Sequence, residues 1–380
     1  MTDQYGAHRP LRLGMVGGGQ GGFIGEVHRM AARLDGAWDL VAGALSSNPE
    51  RSIASARDLG LDPERSYTDF GRMAQVEAMR ADCIDAVAIV TPNHLHAEAA
   101  IAFLNAGIHV ICDKPIAATL EQANAIEKAV RQSGCHFFLT HTYTGYPMVR
   151  EARDIVRRGD LGEIRMVNVE YAQDWLAMEL EASGQKQAEW RTDPAKSGAG
   201  GAVADIGTHA INLVEFVTGL ELESLACDLT AFVPGRRLDD NVSALLRFAS
   251  GARGILWASQ IAVGKSNALR LRVYGDRGGL EWDQEAPDRL SVTPLNEPTR
   301  IHARGGTELS QSATACSRLP AGHPEGFVEA FANIYRDAAR VIWKPNTSTT
   351  LPGIVDGQAG MRFIAACVES SNGNAAWVRV

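Results

Sequence analysis

The 380-residue chain is poor in cysteine, and its six, Cys83, Cys112, Cys135, Cys227, Cys316 and Cys367, nowhere fall into C-x-x-C spacing. That scatter argues against a disulfide framework or a zinc site and for buried free thiols. No stretch approaches the about 18 uninterrupted apolar residues of a membrane-spanning helix. The opening residues, MTDQYGAHRP, contain no apolar signal core, so a cytoplasmic protein is expected. Basic residues are outnumbered by acidic ones, 37 to 45, giving a formal net charge of -8 with no basic run. Affinity for nucleic acid or anionic membrane is therefore not expected, because polyanions require a concentrated basic face. Internal repeats and low-complexity tracts are also missing. What remains is ordinary globular composition, 45% hydrophobic and 22% charged, over a length that suits two domains.

The chain is organised around Leu11 to Gly22, LRLGMVGGGQGG. A short apolar strand runs into Gly17, Gly19 and Gly22, which have G-x-G-x-x-G spacing. In that motif the glycines serve a tight turn, a close backbone approach to pyrophosphate, and packing of the following helix. Phe23, Ile24, Val27, Met30, Ala31 and Leu34 then form an amphipathic stretch, and Leu40 to Leu45 reads as a second strand. This β-α-β context separates a dinucleotide loop from a glycine-rich surface turn. Phosphates would sit on the helix N-terminus, with Gln20 and Phe23 beside them. At the end of the second strand Ser46, Ser47 and Asn48 carry no carboxylate to bind a ribose 2′-hydroxyl. With Arg51 close by, NAD and NADP both stay open. Asn48-Pro49 also reads as the cap and first turn of the next helix.

Strand and helix go on alternating. Ile84 to Val90 ends at Thr91-Pro92-Asn93-His94-Leu95-His96, and Ile108 to Cys112 ends at Asp113-Lys114-Pro115. Regular alternation predicts an α/β Rossmann domain, a doubly wound parallel sheet whose ligands gather at the carboxyl ends of the strands. Thr91, Pro92, Asn93, His96, Asp113 and Lys114 should then line the crevice of the glycine loop. Alone, Lys114 is an ordinary edge charge; in that crevice its ammonium can hold a substrate oxygen.

Past a boundary placed near 145 the rhythm changes. Strand-like segments (164–175, 224–232, 242–248, 252–261, 269–274, 279–283 and 290–294) are joined by short turns, which predicts an α+β domain built on a large, mostly antiparallel open sheet. Residues 1–144 are accordingly assigned to nucleotide binding and 145–380 to substrate binding and oligomerisation, with the uncovered sheet face free to pair with another subunit. In SGAGGAVADIGTHAINLVEFVTG, Ile206, Ala210, Leu213 and Val217 recur at helical spacing. Asp205 and His209 stand four apart on the neighbouring stripe. Three readings fit: a capping Asp with a structural His, two ligands of a metal site with no third in view, and an acid/base pair. A long loop, Asp174 to Lys196, carries Trp190-Arg191-Thr192. With Tyr143, Tyr146, Gln173, Trp175, Thr208 and His323 it supplies aromatic faces and neutral donors of the kind that suit a polyhydroxylated ring. Each of these residues also has a plain packing reading.

The glycine fingerprint, Thr91-Pro92-Asn93 with His96, Lys114-Pro115, and Asp205-x-x-x-His209 together resemble the glucose-fructose oxidoreductase, inositol dehydrogenase and rhizopine-catabolism (Gfo/Idh/MocA) family, over nearly the whole chain. Where that family usually has Glu before Lys-Pro, this chain has Asp113. The resemblance implies a cis bond before Pro115, an NAD cofactor, a homo-oligomer (a dimer or tetramer), and Lys114, Asp205 and His209 as catalytic residues without a metal. The long loop and the 321–326 stretch are similar to the scyllo-inositol, L-glucose and levoglucosan oxidisers. Reversible oxidation of one secondary hydroxyl of an inositol or sugar is the expected activity. Three rivals are an NADP-linked sugar oxidoreductase, a lyase or glycosidase that oxidises transiently and returns its hydride, and a sensor without catalysis.

Overall fold

In the computed structural model, which describes residues 8–345 and 347–380, five short apolar runs near the start of the chain form a parallel sheet. They are β1 (Leu11–Gly17), β2 (Trp38–Ala44), β3 (Ala86–Val90), β4 (His109–Cys112) and β5 (Phe137–Leu139). Strand β3, AVAIV, is buried at every position, as a strand covered on both faces must be. The connecting helices are α1 (Phe23–Leu34), α2 (Pro49–Asp58), α3 (Phe70–Ala78), α4 (His96–Asn105) and α5 (Leu120–Ser133). Side-chain oxygens of Asn48, Asp69 and Thr119 cap α2, α3 and α5, and Gly134 closes α5 in the left-handed region at φ 67°. The strand order is β2-β1-β3-β4-β5. The chain leaves β1 toward one edge and returns to β3 on its other side, so the carboxyl ends of β1 and β3 border the switch point where such sheets bind ligands.

Helix α1 departs from the expected stripe. Gly25, Val27, His28, Ala31 and Ala32 are buried, while Phe23, Met30 and Leu34 face solvent. Small residues let the helix approach the sheet closely and turn the bulky ones outward.

This unit runs through Thr142 and takes in Phe331–Gln358; the second comprises Tyr143–Ala330 and Ala359–Val380. In the second, α6 (Pro147–Arg157) precedes β6 (Ile164–Ala172) and the short α7 (Lys186–Arg191) and α8 (Pro194–Ser197). A π-helical turn, Val203–Gly207, leads into α9 (Thr208–Thr218). Then come β7 (Leu222–Thr230), β8 (Asn241–Phe248), β9 (Arg253–Ser259), β10 (Ala268–Gly275), β11 (Gly278–Asp283), β12 (Arg289–Pro294), β13 (Arg300–Ala303) and α10 (Gln311–Thr314); α11 (Phe327–Trp343) belongs mostly to the first unit, and the chain ends with α12 (Ile354–Asn372), most of it in the second, and β14 (Val378–Arg379). Nine strands form one sheet in the order β13-β12-β11-β10-β6-β9-β8-β7-β14. Only β6 and β9 pair in parallel; the other neighbours are antiparallel. Helix α9 lies against β6 and β10, and Ile206, Ala210, Leu213 and Val217 are buried as their spacing predicts. Among the described residues no helix is long and apolar enough to cross a membrane.

Candidate active site

The glycine loop is fixed by main-chain contacts. Gly17 and Gly18 take φ of 81° and 71°, and a Cβ on Gly25 would lie 2.3 Å from the Cα of Gly18. Gly25, one helical turn past the motif, thus makes the close helix-to-loop approach that the spacing assigned to Gly22. The Gly19 N–H donates to the Leu45 carbonyl at 3.0 Å, Gly22 N–H to the Gly19 carbonyl at 2.9 Å, and Gln20 N–H to Ser55 Oγ at 3.0 Å. These donors hold the loop itself, and the start of α1 is capped by no side chain, the kind of helix end that can receive an anion. Gln20 Nε2 reaches Asp58 Oδ2 at 2.7 Å, and Phe23 is 68% exposed. Both border an open cavity of about 430 Å³ together with Glu26 and Arg29. At the end of β2, Asn48 Oδ1 accepts the Arg51 N–H at 2.8 Å and Ser46 Oγ accepts the Asn48 N–H at 3.2 Å, while Ser47 and the Arg51 side chain stand exposed.

At the ends of β3 and β4 the candidates meet. His96 is buried, with Nδ1 2.8 Å from the Pro115 carbonyl and Nε2 2.8 Å from the Thr91 carbonyl. It ties the two loops together, which sequence reasoning read as a cofactor contact. Burial pushes it below its ordinary value, against the pull of Asp113 and the two carbonyls. Asn93 is buried beside Pro92. Asp113 Oδ1 accepts both Thr140 Oγ1 and the Lys114 N–H at 2.9 Å, so the shorter carboxylate arm shapes the turn that presents Lys114. The Lys114–Pro115 peptide is cis. His141 is buried, and desolvation together with the Lys114 charge pushes it down to about 3.

Two observations fit this unit to a dinucleotide. A Cβ on Gly19 would meet Ser55 Oγ at 2.6 Å and the Leu45 carbonyl at 2.7 Å, so the backbone must stay bare there. Thr91 Oγ1, at the end of β3 where its methyl faces Gly17, is buried with no hydrogen-bond partner among the described residues. A polar ligand in the switch-point crevice would satisfy it.

In the second unit Asp205 sits in the π-helical turn and His209 in the first turn of α9. Such wide turns often mark functional positions. Asp205 Oδ2 accepts Gln260 Nε2 at 2.8 Å and pairs with Arg191 Nε at 3.3 Å. The Arg191 guanidinium lies 4.2 Å from the Trp190 ring centroid and 5.9 Å from that of Trp175. Trp175 Nε1 donates to Gln173 Oε1 at 3.0 Å, and Gln173 Nε2 donates to Asn267 Oδ1 at 2.7 Å. That same oxygen accepts the Tyr171 hydroxyl at 2.7 Å, and Tyr171 in turn bonds the Tyr143 hydroxyl. The ring of Tyr143 stands edge-to-face on His209, centroids 4.9 Å apart. Burial pushes the Tyr143 phenol up, keeping it a neutral donor. Trp190, Arg191, Trp175, Gln173, Asp205 and His209 are therefore joined in one network. Its hub, Asn267, and Gln260 escaped the sequence analysis, and nothing in their local pattern signals them.

Three candidates stand apart. Tyr146 is 2% exposed and packs against Trp282 and Tyr143. Thr208 is buried, its hydroxyl bonded to the Ala204 carbonyl at 2.8 Å. His323 is exposed, and its carbonyl accepts from Arg304.

A glycine turn feeding an uncapped helix at a switch point, in a chain that also carries a lysine at a strand end and a carboxylate–imidazole turn in an antiparallel unit, defines a nucleotide-dependent oxidoreductase. Residues 11–141 match the oxidoreductase family with an NAD-binding Rossmann fold, and residues 149–281 match the GFO/IDH/MocA C-terminal domain. The chain belongs to the Gfo/Idh/MocA oxidoreductase family, and its first unit carries that family's NAD-binding Rossmann fold. It is 52% identical to an oxidoreductase from Sinorhizobium meliloti whose crystal structure it matches at TM-score 0.89, over 98% of this chain and 100% of that one. An inositol dehydrogenase homologue from Azotobacter vinelandii, complexed with NADH and myo-inositol, is 34% identical at TM-score 0.90, with 98% of each chain covered. The levoglucosan dehydrogenase of Pseudarthrobacter phenanthrenivorans is 30% identical over 74% of this chain and 76% of its own length.

Proposed function

We propose that the protein oxidises one secondary hydroxyl of a cyclic polyol or sugar, an inositol or an L-glucose-like ring, in a reversible dehydrogenase reaction. Bound NAD supplies the acceptor for the hydride leaving the carbinol carbon. His209 takes the hydroxyl proton, as an imidazole suited to neutral pH can. Asp205 orients the ring and stabilises the imidazolium, itself steadied by Gln260 and Arg191. Lys114 donates a hydrogen bond to the same oxygen and favours its alkoxide character. Ser46, Ser47 and Arg51 serve the adenosine ribose, and Gln173, Trp175, Trp190 and Arg191 face the sugar. The observation that carries this reading is the network that joins Asp205 and His209 to aromatic faces and neutral donors, the surroundings a polyhydroxylated ring needs. The two relatives named for inositol and levoglucosan support the substrate class.

We further propose a homo-oligomer formed through the outer face of the nine-stranded sheet, where the paired residues Leu245 and Ile255 are 52% and 47% exposed. Sedimentation of the full chain tests it. Six free cysteines agree with a cytoplasmic setting. The activity test screens scyllo-inositol, myo-inositol, L-glucose, D-glucose and levoglucosan against NAD and NADP by NADH absorbance. Lys114→Ala and His209→Ala follow, with NADH affinity measured separately. His209→Ala should cut turnover about 10²–10⁴-fold with NADH affinity kept. Near-native turnover in either variant refutes the roles; no reduction of cofactor by any polyol refutes the dehydrogenase.

A further inference from the structure

We propose that Asp239 is a positioning residue, whose carboxylate holds the π-helical turn that carries Asp205 and sets the start of α9 with His209. This inference rests on the acid/base reading of those two residues. Asp239 is 9% exposed and lies two residues before β8. Its Oδ1 accepts the Gly201 N–H at 2.6 Å, its Oδ2 the Val203 N–H at 2.7 Å, and its main-chain oxygen the Ala202 N–H at 2.9 Å. Three consecutive amides are thus fixed by one residue. The Gly201 carbonyl in turn accepts the Asp205 N–H at 2.9 Å, so only one residue separates the clamp from the candidate acid.

A second route ends at the same carboxylate. The carbonyl of Asp240 accepts the Gln260 N–H at 2.9 Å, and Gln260 Nε2 donates to Asp205 Oδ2 at 2.8 Å. The approach is also too close for any side chain: a Cβ on Gly201 would lie 2.1 Å from the Asp239 carbonyl oxygen. Neighbouring Asp240 does a different job, accepting the Phe232 and Val233 N–H groups at 2.9 and 3.0 Å and pairing with Arg236 at 3.1 Å.

The chemistry requires a carboxylate. Two diverging N–H groups need two acceptor oxygens, and an amide at this position would turn its own NH₂ toward one of them. Burial pushes the Asp239 carboxyl up to about 6 while the Gly201 and Val203 N–H bonds pull it down, with Asp240 adding to the rise. Of the other groups near it, Asp205 is paired with Arg191, and Cys367 on α12 is a buried thiol. Keeping this group charged at neutral pH costs folding stability, a cost that the two N–H bonds partly offset.

The test uses the full chain with NAD and the polyol turned over fastest in the five-compound panel. Asp239→Asn should lower kcat about tenfold, because a charge-assisted bond is lost from the turn. KM for the polyol and NADH affinity should stay within about twofold, since uniform binding is untouched. Amide hydrogen exchange at 201–205 should accelerate at least about tenfold, whereas Asp240→Asn should act on 232–236 instead. If Asp239→Asn does not fold, Asp239→Glu, which keeps two acceptor oxygens on an arm one methylene longer, should fold and still accelerate exchange at 201–205. Unchanged exchange at 201–205 in either folded variant overturns the clamp. Faster exchange with unchanged kcat, or a kcat loss matched by lost NADH affinity, overturns the positioning role. A His209→Ala variant that keeps turnover sinks the acid/base reading on its own, whatever the exchange data give.

Discussion

In the first unit His96 turns both ring nitrogens to main-chain oxygens, Asn48 caps a main-chain N–H, and the glycine loop is tied by its own amides. In the second, Arg191, Asp205 and Gln260 hold one another by their side chains, as do Trp175, Gln173, Asn267, Tyr171 and Tyr143. Main-chain partners come with the fold and survive almost any change elsewhere, which suits the half that meets an invariant cofactor. Side-chain partners must be specified one by one, but each can be respecified singly, which suits the half proposed to select a substrate. The comparison predicts that damage to the first unit is conformational and falls on NADH binding. Damage to the second should be chemical and fall on the polyol.

The largest effect is expected at Gly25→Val. Its side chain would start 2.3 Å from the Gly18 Cα and 2.6 Å from the Gly18 oxygen, atoms that cannot step aside. A loss of about 3 kcal/mol or more in the first unit and at least hundredfold weaker NADH binding should follow. Fluorescence titration with NADH checks it, and native affinity would show that the helix need not approach the loop so closely.

Acid should also separate the units. His28, fully buried against the Tyr335 hydroxyl at 2.7 Å, is pushed down to about 4 by burial, and His141 to about 3. Unfolded, each binds a proton near 6.5, so the unfolded chain holds more protons through that window. Their contribution is complete above about 6.5 and drains away as pH falls, roughly 2 kcal/mol for each by pH 5. Asp239 in the second unit runs the other way: raised to about 6, it favours the native state more as pH falls through that value toward its unfolded one. Urea unfolding followed by segment-resolved hydrogen exchange at pH 7 and about pH 5 should find the first unit losing more stability. Equal losses would remove the contrast.

Arg191→Lys comes next. The guanidinium pairs with Asp205 while lying over Trp190, and a lysine cannot keep both contacts. Polyol kcat/KM should drop about tenfold, with NADH affinity unmoved. Full rescue by lysine would mean that charge alone matters there.

Legibility follows the same division. The strand, glycine turn and helix of the first unit are local, and so are caps such as Asn48, so a window of a few residues contains the reason for them. Gly25 escapes because it stands beyond the motif, where only the crossing of helix and loop gives it a task. In the second unit the strands are legible by alternation, but the edge strands β13 and β14 have too little apolar pattern to show. The four-residue spacing of Asp205 and His209 fits either an α or a wider turn, so the π-helical geometry is invisible in sequence. Thr208 and Tyr146 carry suitable groups for sugar binding, yet the hydroxyl of one is bonded within its own helix and the other lies in the core. Hub residues are hardest: Asn267 is 94 residues from Gln173 and 124 from Tyr143, and only folding brings them together.

That hub gives the smallest and most discriminating prediction. The Asn267 oxygen accepts from both Tyr171 and Gln173, while its Nδ2 faces the Tyr143 hydroxyl at 3.4 Å. Because Tyr171 donates to Asn267, its oxygen is left to accept from Tyr143, and every proton in the ring has an assigned direction. Asn267→Asp removes the Asn267 amide donor, keeps the acceptors and adds a charge, so the Tyr143 oxygen loses one weak bond and faces a carboxylate instead. Polyol KM should rise about threefold with kcat and NADH affinity held, the signature of lost uniform binding. Asn267→Leu removes the acceptor as well and leaves the Tyr171 proton and the Gln173 amide to seek new partners, so its KM should rise further and preference among the five polyols should change. Equal behaviour of the two variants would mean that the ring is only packing, and that the second unit selects its substrate by shape alone.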